Sequence, residues 1–307
     1  MAPLRGFTDA VFRKTFEKHF QGIGEAIAPF VASTKGRRIK PSLLRDLAPE
    51  ENGRLPVVPQ ILSNNAPEFI RLANTLMDMG YREINWNLGC PYPMVAKKMR
   101  GSGLLPNPEV IDRLLNEILN GFFGRISIKT RLGRTTVHEM DHWIKVINRY
   151  PIERVIVHPR TGVQMYTGSV DLKAFDTCLS EISHPVVYNG DITDLETFLA
   201  LKNRFPMVKA WMLGRGLLAN PLLAEMIQSE KQAVPDAKER FARFHDDLLT
   251  GYLSRFSGPG HVLDRLKGLW RYFADGFDDG QQILKQVRKA RSLETYRQLV
   301  DRALHDL

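Results

Sequence analysis

Two cysteines stand in a chain of 307 residues, and one of them, Cys90, is set between Gly89 and Pro91. A glycine and a proline on either side of a thiol make a tight turn, so the sulfur is placed rather than free to wander. A placed and partly exposed thiol can hold a proton and give it up. Cys178 lies far off in the sequence, so the pair makes neither a disulfide framework nor a zinc pattern, and no metal site is expected.

Other chemistry-bearing residues recur at one kind of place, the end of a short apolar run. Gln60 lies toward the end of residues 57–62, and residues 83–87 end at Asn87 and run into Cys90. Residues 125–131 carry Lys129 and Arg131, and residues 153–158 end at His158. Asn189, Gly190 and Asp191 close residues 185–189, while Gly214, Arg215 and Gly216 follow residues 208–213. Taken alone, a histidine after an apolar run reads as a core imidazole, and a lysine there as a group reaching water. Polar, ionisable or glycine-rich residues at six successive ends argue for a site.

The last two ends suggest its ligand. Their glycines let backbone N–H groups approach an anion, and Arg215 adds a charge-assisted donor, which suits a phosphate. Lys129 would set a cation beside a delocalised ring, and the amide of Gln60 can pair with the ring's own amide edge. A flavin fits these features. Beyond Cys90, the basic stretch with Lys97, Lys98 and Arg100 leads to Gly101 and Gly103, and reads as a lid able to touch phosphates.

These residues need a scaffold. Besides the runs named above, residues 25–30 form a further candidate strand, which makes seven. Amphipathic helical patterns over residues 67–79, 108–119, 137–148 and 194–203 lie between them. An eighth strand belongs before residue 3, either reduced to a stub or cut short because the chain begins late. Eight βα units predict an α/β fold of the closed (β/α)8 TIM-barrel type. After residue 234 the strand signals end. Helical patterns over residues 237–256, 262–273, 281–290 and 293–304 predict an all-helical C-terminal domain, giving domains 1–234 and 235–307. Lys267 and Arg271 mark a basic face on it, with acidic residues interspersed nearby.

Composition is that of an ordinary globular chain, 43% apolar and 25% charged. No apolar run approaches the roughly 20 residues of a membrane span, and the N-terminus has no signal-peptide pattern, so a cytoplasmic protein without a membrane partner is expected. With 43 Lys and Arg against 34 Asp and Glu, the net charge of +9 suits a polyanionic partner.

At these residues the chain resembles the tRNA-dihydrouridine synthase family, and the resemblance runs over nearly the whole length. Ala2-Pro3-Leu4-Arg5-Gly6-Phe7-Thr8-Asp9 is similar to that family's opening motif, and Asn87-Leu88-Gly89-Cys90-Pro91 with Gly101-Ser102-Gly103-Leu104-Leu105 to its active-site loop. Ile128-Lys129-Thr130-Arg131-Leu132-Gly133 and Val157-His158-Pro159-Arg160-Thr161 resemble its next two strand motifs. Asn189-Gly190-Asp191-Ile192 and Leu213-Gly214-Arg215-Gly216 resemble its phosphate-binding ends. Six matches in order are far more specific than any one.

The resemblance implies a (β/α)8 flavoenzyme that acts as a monomer on tRNA. NADPH reduces bound FMN, and a D-loop uridine is flipped out beside the flavin. Hydride passes to C6 of uracil, and Cys90 donates the proton to C5 on the opposite face. Lys129 and His158 then serve the flavin, Pro3, Leu4 and Arg5 line it, and Asn87 and Arg131 hold the uracil edge. The helical domain, with Lys267 and Arg271, holds tRNA. The chain departs from the family pattern at Leu4, where Met is usual, at Pro159, where Gly is common, and at Tyr92-Pro93, where Ser-Lys is frequent. The run from Arg265 to Tyr272 is most similar to the branch acting on position 16. Two rival readings are an FMN barrel acting on a free pyrimidine and a tRNA-binding protein without turnover.

Overall fold

Prolines interrupt two of the early strands of this chain, and a capping side chain opens several of its helices. The computed structural model describes residues 1–36 and 38–305. Its strands are β1 (Ala26–Ile27), β2 (Val31–Ala32), β3 (Val57–Val58), β4 (Gln60–Leu62), β5 (Glu83–Leu88), β6 (Arg125–Gly133), β7 (Val155–Thr161), β8 (Val186–Asn189) and β9 (Ala210–Met212). Every pairing is parallel, in the order β2-β4-β5-β6-β7-β8-β9, with β1 beside β3.

Pro29 and Pro59 interrupt the first two expected strands, because proline has no N–H for the ladder. Each strand nevertheless continues through its interruption. The N–H of Ala28 donates to the Val58 carbonyl at 2.9 Å, and that of Asn85 to the Pro59 carbonyl at 2.8 Å. The eighth position is filled by Met1 and Ala2. Ile27 N–H donates to the Met1 carbonyl at 3.1 Å, and Ala2 N–H donates to the Leu213 carbonyl at 2.8 Å. These bonds close the sheet into a (β/α)8 barrel.

Alternation along the strands decides what the barrel contains. Ile84, Trp86 and Leu88 on β5, with Ile126 and Ile128 on β6, join the large core shared with the helices. The opposite face carries Asn85 and Asn87, then Ser127, Lys129 and Arg131, then Ile156, His158 and Arg160. Ala2, Ile27, Val58, Ile156, Val187 and Met212 form a separate apolar cluster. The inward faces therefore change from apolar and amide residues to ionisable ones toward the C-terminal ends of the strands.

Asp9, Asn65, Asp171 and Asp194 each accept a backbone N–H at the start of a helix: Ala10–His19, Ala66–Asp78, Leu172–Glu181 and Leu195–Arg204. The pattern at 137–148 opens as a 3-10 turn, Val137–Glu139, under a capping box of Thr136 and Glu139, before the helix Met140–Ile147.

Four helices follow the barrel: Ala237–Arg255, Pro259–Phe273, Gly280–Lys289 and Leu293–His305. Residues 306–307, the end of the expected C-terminal domain, lie outside the described residues. Phe244 from the first of these helices packs on Phe12 and Phe20, with ring centroids 5.7 and 5.0 Å away. Arg255 pairs with Glu51 at 2.8 Å, and Tyr252 donates its hydroxyl hydrogen to Asp9 at 3.2 Å. Arg265 lies 3.5 Å from Asp9 and also donates to the Gly6 carbonyl. The helical segment thus grips the loop that follows Ala2, and that loop lines the site.

Candidate active site

The site begins with the turn after β5. Asn87 Oδ1 accepts the backbone N–H of Gly89 at 3.1 Å and of Cys90 at 2.8 Å. From the other side, Ser102 donates both its N–H, at 3.1 Å, and its hydroxyl, at 2.9 Å, to the Cys90 carbonyl. Gly101, at φ +57°, passes so close that a Cβ there would lie 2.7 Å from Cys90 Cβ. No other residue type has both that backbone and that clearance. The Cys90 backbone is therefore held from three directions, and its side chain borders a cavity of about 370 Å³ at the C-terminal ends of the strands.

Ionisable groups from β6 and β7 stand in the same cavity, with Arg215 beyond β9. Lys129 is partly buried there and has no hydrogen-bond or ion-pair partner among the described residues. Burial, and then the neighbouring Arg131, bring its ammonium down to about 7. Arg131 donates to the Thr161 carbonyl at 2.7 Å, and burial lowers it to about 10. Burial, with Arg131, Lys129, Arg160 and Arg215 around it, pushes His158 well below the usual imidazole range. Arg160 lies 3.0 Å from His158 Nε2. A guanidinium only donates, so Nε2 is the acceptor and the ring proton sits on Nδ1. The cavity field is positive, and with burial it disfavours the charged forms of Lys129 and His158, which is the condition for holding an anion.

Burial also pushes the Cys90 thiol up, although Arg131, Arg5 and Arg134 oppose it. A thiol in this state keeps its proton near neutral pH, as an acid must.

The ends of β8 and β9 are tied together. Asn189 donates to the Met212 carbonyl at 2.9 Å. Asp191, in the left-handed region at φ +44°, accepts from Arg160 and from Arg215, the latter at 2.9 Å. Gly214 caps the short helix Arg215–Ala219, so the N–H groups of Arg215 and Gly216 have no intrahelical partner. Gly190 and Gly214 border the cavity, and a Cβ on Gly190 would lie 2.8 Å from Val170.

Most residues expected from the sequence meet here. Pro3, Leu4, Arg5, Asn87, Cys90, Lys129, Arg131, His158, Asn189, Gly190, Asp191, Gly214 and Arg215 all border the cavity. Six do not. Gln60 is fully buried one layer below, where its amide donates to Asn85 at 2.7 Å and accepts from Asn87 at 2.8 Å. Lys97 and Lys98 are exposed outside it. Arg100 is spent on Asn64 at 3.0 Å and the Ser33 carbonyl at 3.2 Å, and the stretch expected to move as a lid is pinned by these bonds. Lys267 donates to the Ala290 carbonyl, while Arg271 is exposed.

Sequence reasoning assigned no role to Arg160, Tyr166 or Tyr272. Arg160 lies two residues past His158 on the same strand face, so period two could have found it. The guanidiniums of Arg131 and Arg215 lie 5.2 and 5.3 Å from the centre of the Tyr166 ring, and no local pattern announces that. Tyr272 reaches the cavity from the helical segment.

A closed barrel with a placed thiol, a lysine unpaired among the described residues and glycine-rich ends on its last strands defines a (β/α)8-barrel enzyme. The fold is similar to histamine dehydrogenase from Rhizobium sp. 4-9, with TM-score 0.55 and 10% identity, covering 83% of this chain and 48% of that one. It is also similar to the old yellow enzyme homologue from Zymomonas mobilis, with TM-score 0.53 and 13% identity, covering 78% and 91%. The profile described as dihydrouridine synthase matches residues 1–302, and the chain belongs to the dihydrouridine synthase family. Among its relatives, a probable tRNA-dihydrouridine synthase of Staphylococcus epidermidis is 28% identical, covering 98% of this chain and 92% of its own. The probable tRNA-dihydrouridine synthase 2 of Bacillus subtilis shows the same identity and coverage.

Proposed function

We propose that this chain reduces a D-loop uridine of tRNA to 5,6-dihydrouridine, with FMN bound in the cavity and NADPH as reductant. The observation that carries this reading is a held Cys90, its thiol pushed up by burial, in one positively charged cavity with Lys129, which has no partner among the described residues. The residues fit FMN. Arg215 and the free N–H groups of Arg215 and Gly216 suit its phosphate, and Lys129 and His158 suit its ring.

Reduced FMN would supply the hydride that reaches C6 of uracil. The rest falls to the chain. Cys90 delivers a proton to C5 from the opposite face, and burial keeps that proton in place until it is needed. Asn87 holds the Cys90 turn and Arg131 holds the uracil edge. Lys129 regains its full charge when an anion enters, because the anion offsets the burial that lowers it. Residues 1–234 act as the catalytic barrel and residues 235–307 hold tRNA, with position 16 as the uridine modified. The protein works as a monomer in the cytoplasm.

Purified protein supplied with FMN, NADPH and unmodified tRNA is expected to form dihydrouridine, located by mapping the product. Turnover of free uracil or orotate with none on tRNA would overturn the reading. Tight tRNA binding by a protein that takes up no flavin would overturn it in favour of a binding role alone.

A further inference from the structure

Ten large hydrophobic side chains are exposed among the described residues, and five of them, Tyr92, Met94, Met99, Val163 and Tyr166, lie in two short segments, 92–99 and 163–166, of which Tyr92 and Tyr166 line the cavity. Scattered single apolar residues are ordinary on a surface, whereas half of those exposed here fall on two segments that flank one site. Arg134 stitches the two segments together. It donates to the Pro91 carbonyl at 2.9 Å and to Ser102 at 3.3 Å, while its own carbonyl accepts the Val163 N–H at 2.9 Å. Gly162 packs so closely that a Cβ there would lie 2.7 Å from Ser102 Oγ.

The base of this patch is rigid. Gly103 lies against the backbone of Ala96, with its would-be Cβ 2.3 Å from the Ala96 carbonyl oxygen. Asn64 donates to the Lys98 carbonyl at 3.0 Å. On that base Met94 is 82% exposed, the second most exposed of the ten, and Tyr92 is 51% exposed while also lining the cavity. Lys97 and Lys98 are exposed in the same segment, three and four residues beyond Met94. An exposed apolar side chain with cations close by in sequence, next to a cavity that favours anions, matches an RNA strand: bases for the apolar part, phosphates for the lysines.

We infer that Met94, backed by Tyr92, is a wedge that enters the RNA base stack as the target uridine leaves it, while Lys97 and Lys98 hold the flanking phosphates. This rests on the function proposed above. A uridine drawn from a folded tRNA to Cys90 leaves a gap between its neighbours, and an unbranched thioether can fill that gap without matching any one base.

The test uses the FMN-loaded full-length enzyme and a tRNA transcript carrying 2-aminopurine beside the target uridine. Wild type is expected to raise the fluorescence on binding, as the neighbour unstacks. Met94→Ala should bind within about threefold of wild type, yet lose most of the rise and form dihydrouridine roughly tenfold more slowly. Met94→Leu should restore both. On a transcript whose D-arm tertiary pairs have been mutated away, the Met94→Ala defect should shrink, because less extrusion work remains. A wild type that modifies tRNA together with a Met94→Ala variant equal to it in rise and rate would overturn the wedge alone. A wild type that neither binds nor modifies any transcript would overturn the wedge and the proposed function together.

Discussion

Asn87 Oδ1 accepts the backbone N–H of Cys90 at 2.8 Å, while Asn87 Nδ2 donates to Gln60 at 2.8 Å. The thiol's position is thereby tied to a buried amide ladder that continues from Gln60 to Asn85 and from Asn85 to Ser127, at 2.7 and 2.9 Å. Asn87→Ala should lower stability by about 1–3 kcal/mol, since it leaves the buried Gln60 acceptor and the Cys90 N–H without partners. It should also slow dihydrouridine formation about tenfold to a hundredfold through misplacement of the thiol. Asn87→Asp keeps the acceptor for the turn and should recover part of the rate. Thermal denaturation and single-turnover kinetics check both parts.

Removal of the acid should be severe. Cys90→Ala is expected to slow dihydrouridine formation roughly a hundredfold or more. Because burial raises the Cys90 thiol, the pH–rate profile of the wild type should stay level through the ordinary thiol range and fall only above it. A fall beginning well below pH 8.5, with alkylation by iodoacetamide equally early, would show that the thiol is not held in its acid form.

Lys129 links stability to pH. Its ammonium is at about 7 in the folded chain and 10.5 in its ordinary state, so between those values the unfolded chain binds the extra proton. Stability of the flavin-free protein should therefore rise from about pH 7 toward 10.5, with the penalty fully present below 7. Lys129→Met should flatten this rise and stabilise the flavin-free protein, yet weaken FMN binding read by flavin fluorescence. Equal FMN affinity in variant and wild type would remove Lys129 from the flavin site.

Arg160 joins two strand ends, β7 and β8, through Asp191, and it is only 2% exposed. It also donates to the Gly168 carbonyl at 2.5 Å, in the segment that carries Tyr166. Arg160→Met should cost about 1–3 kcal/mol, since Asp191 keeps Arg215 as a partner while the loop carbonyl loses its donor. His158 also loses the cation against Nε2, so its imidazole resonance in NMR titration should move up toward the usual range.

The two basic residues of the helical segment should behave differently. Lys267 caps the carbonyl that ends the helix Gly280–Lys289, so Lys267→Ala should lower the melting temperature and leave the salt dependence of tRNA binding nearly unchanged. Arg271 is exposed beside the cavity-lining Tyr272, so Arg271→Ala should flatten the slope of log affinity against log salt by about one unit.

Much of this protein is legible in its sequence because barrel strands are short, apolar and periodic. The alternation of Ser127, Lys129 and Arg131 against Ile126, Ile128 and Thr130 assigns one face of β6 before any packing is known. Gly101 and Gly190 announce close approaches, and the polar strand ends announce a site. What escapes such reading is the choice of partner. Arg100 looks like one more free cation beside Lys97 and Lys98, yet it is committed to Asn64 and Ser33, more than thirty residues away. Gln60, expected toward the end of its strand, instead opens β4, and its depth in the barrel commits its amide to two asparagines.

The eight-unit order, the face of each strand and the thiol at the end of β5 follow from periodicity and local turn chemistry, so they can be read along the chain. Which charges remain unspent depends on packing between distant segments. Lys129 stands without a partner among the described residues, Arg160 is bound to His158, the Gly168 carbonyl and Asp191, and Tyr166 carries two guanidiniums against its ring. Those outcomes depend on distances between residues far apart in the chain, and closing the barrel through Met1 and Ala2 is what brings them together.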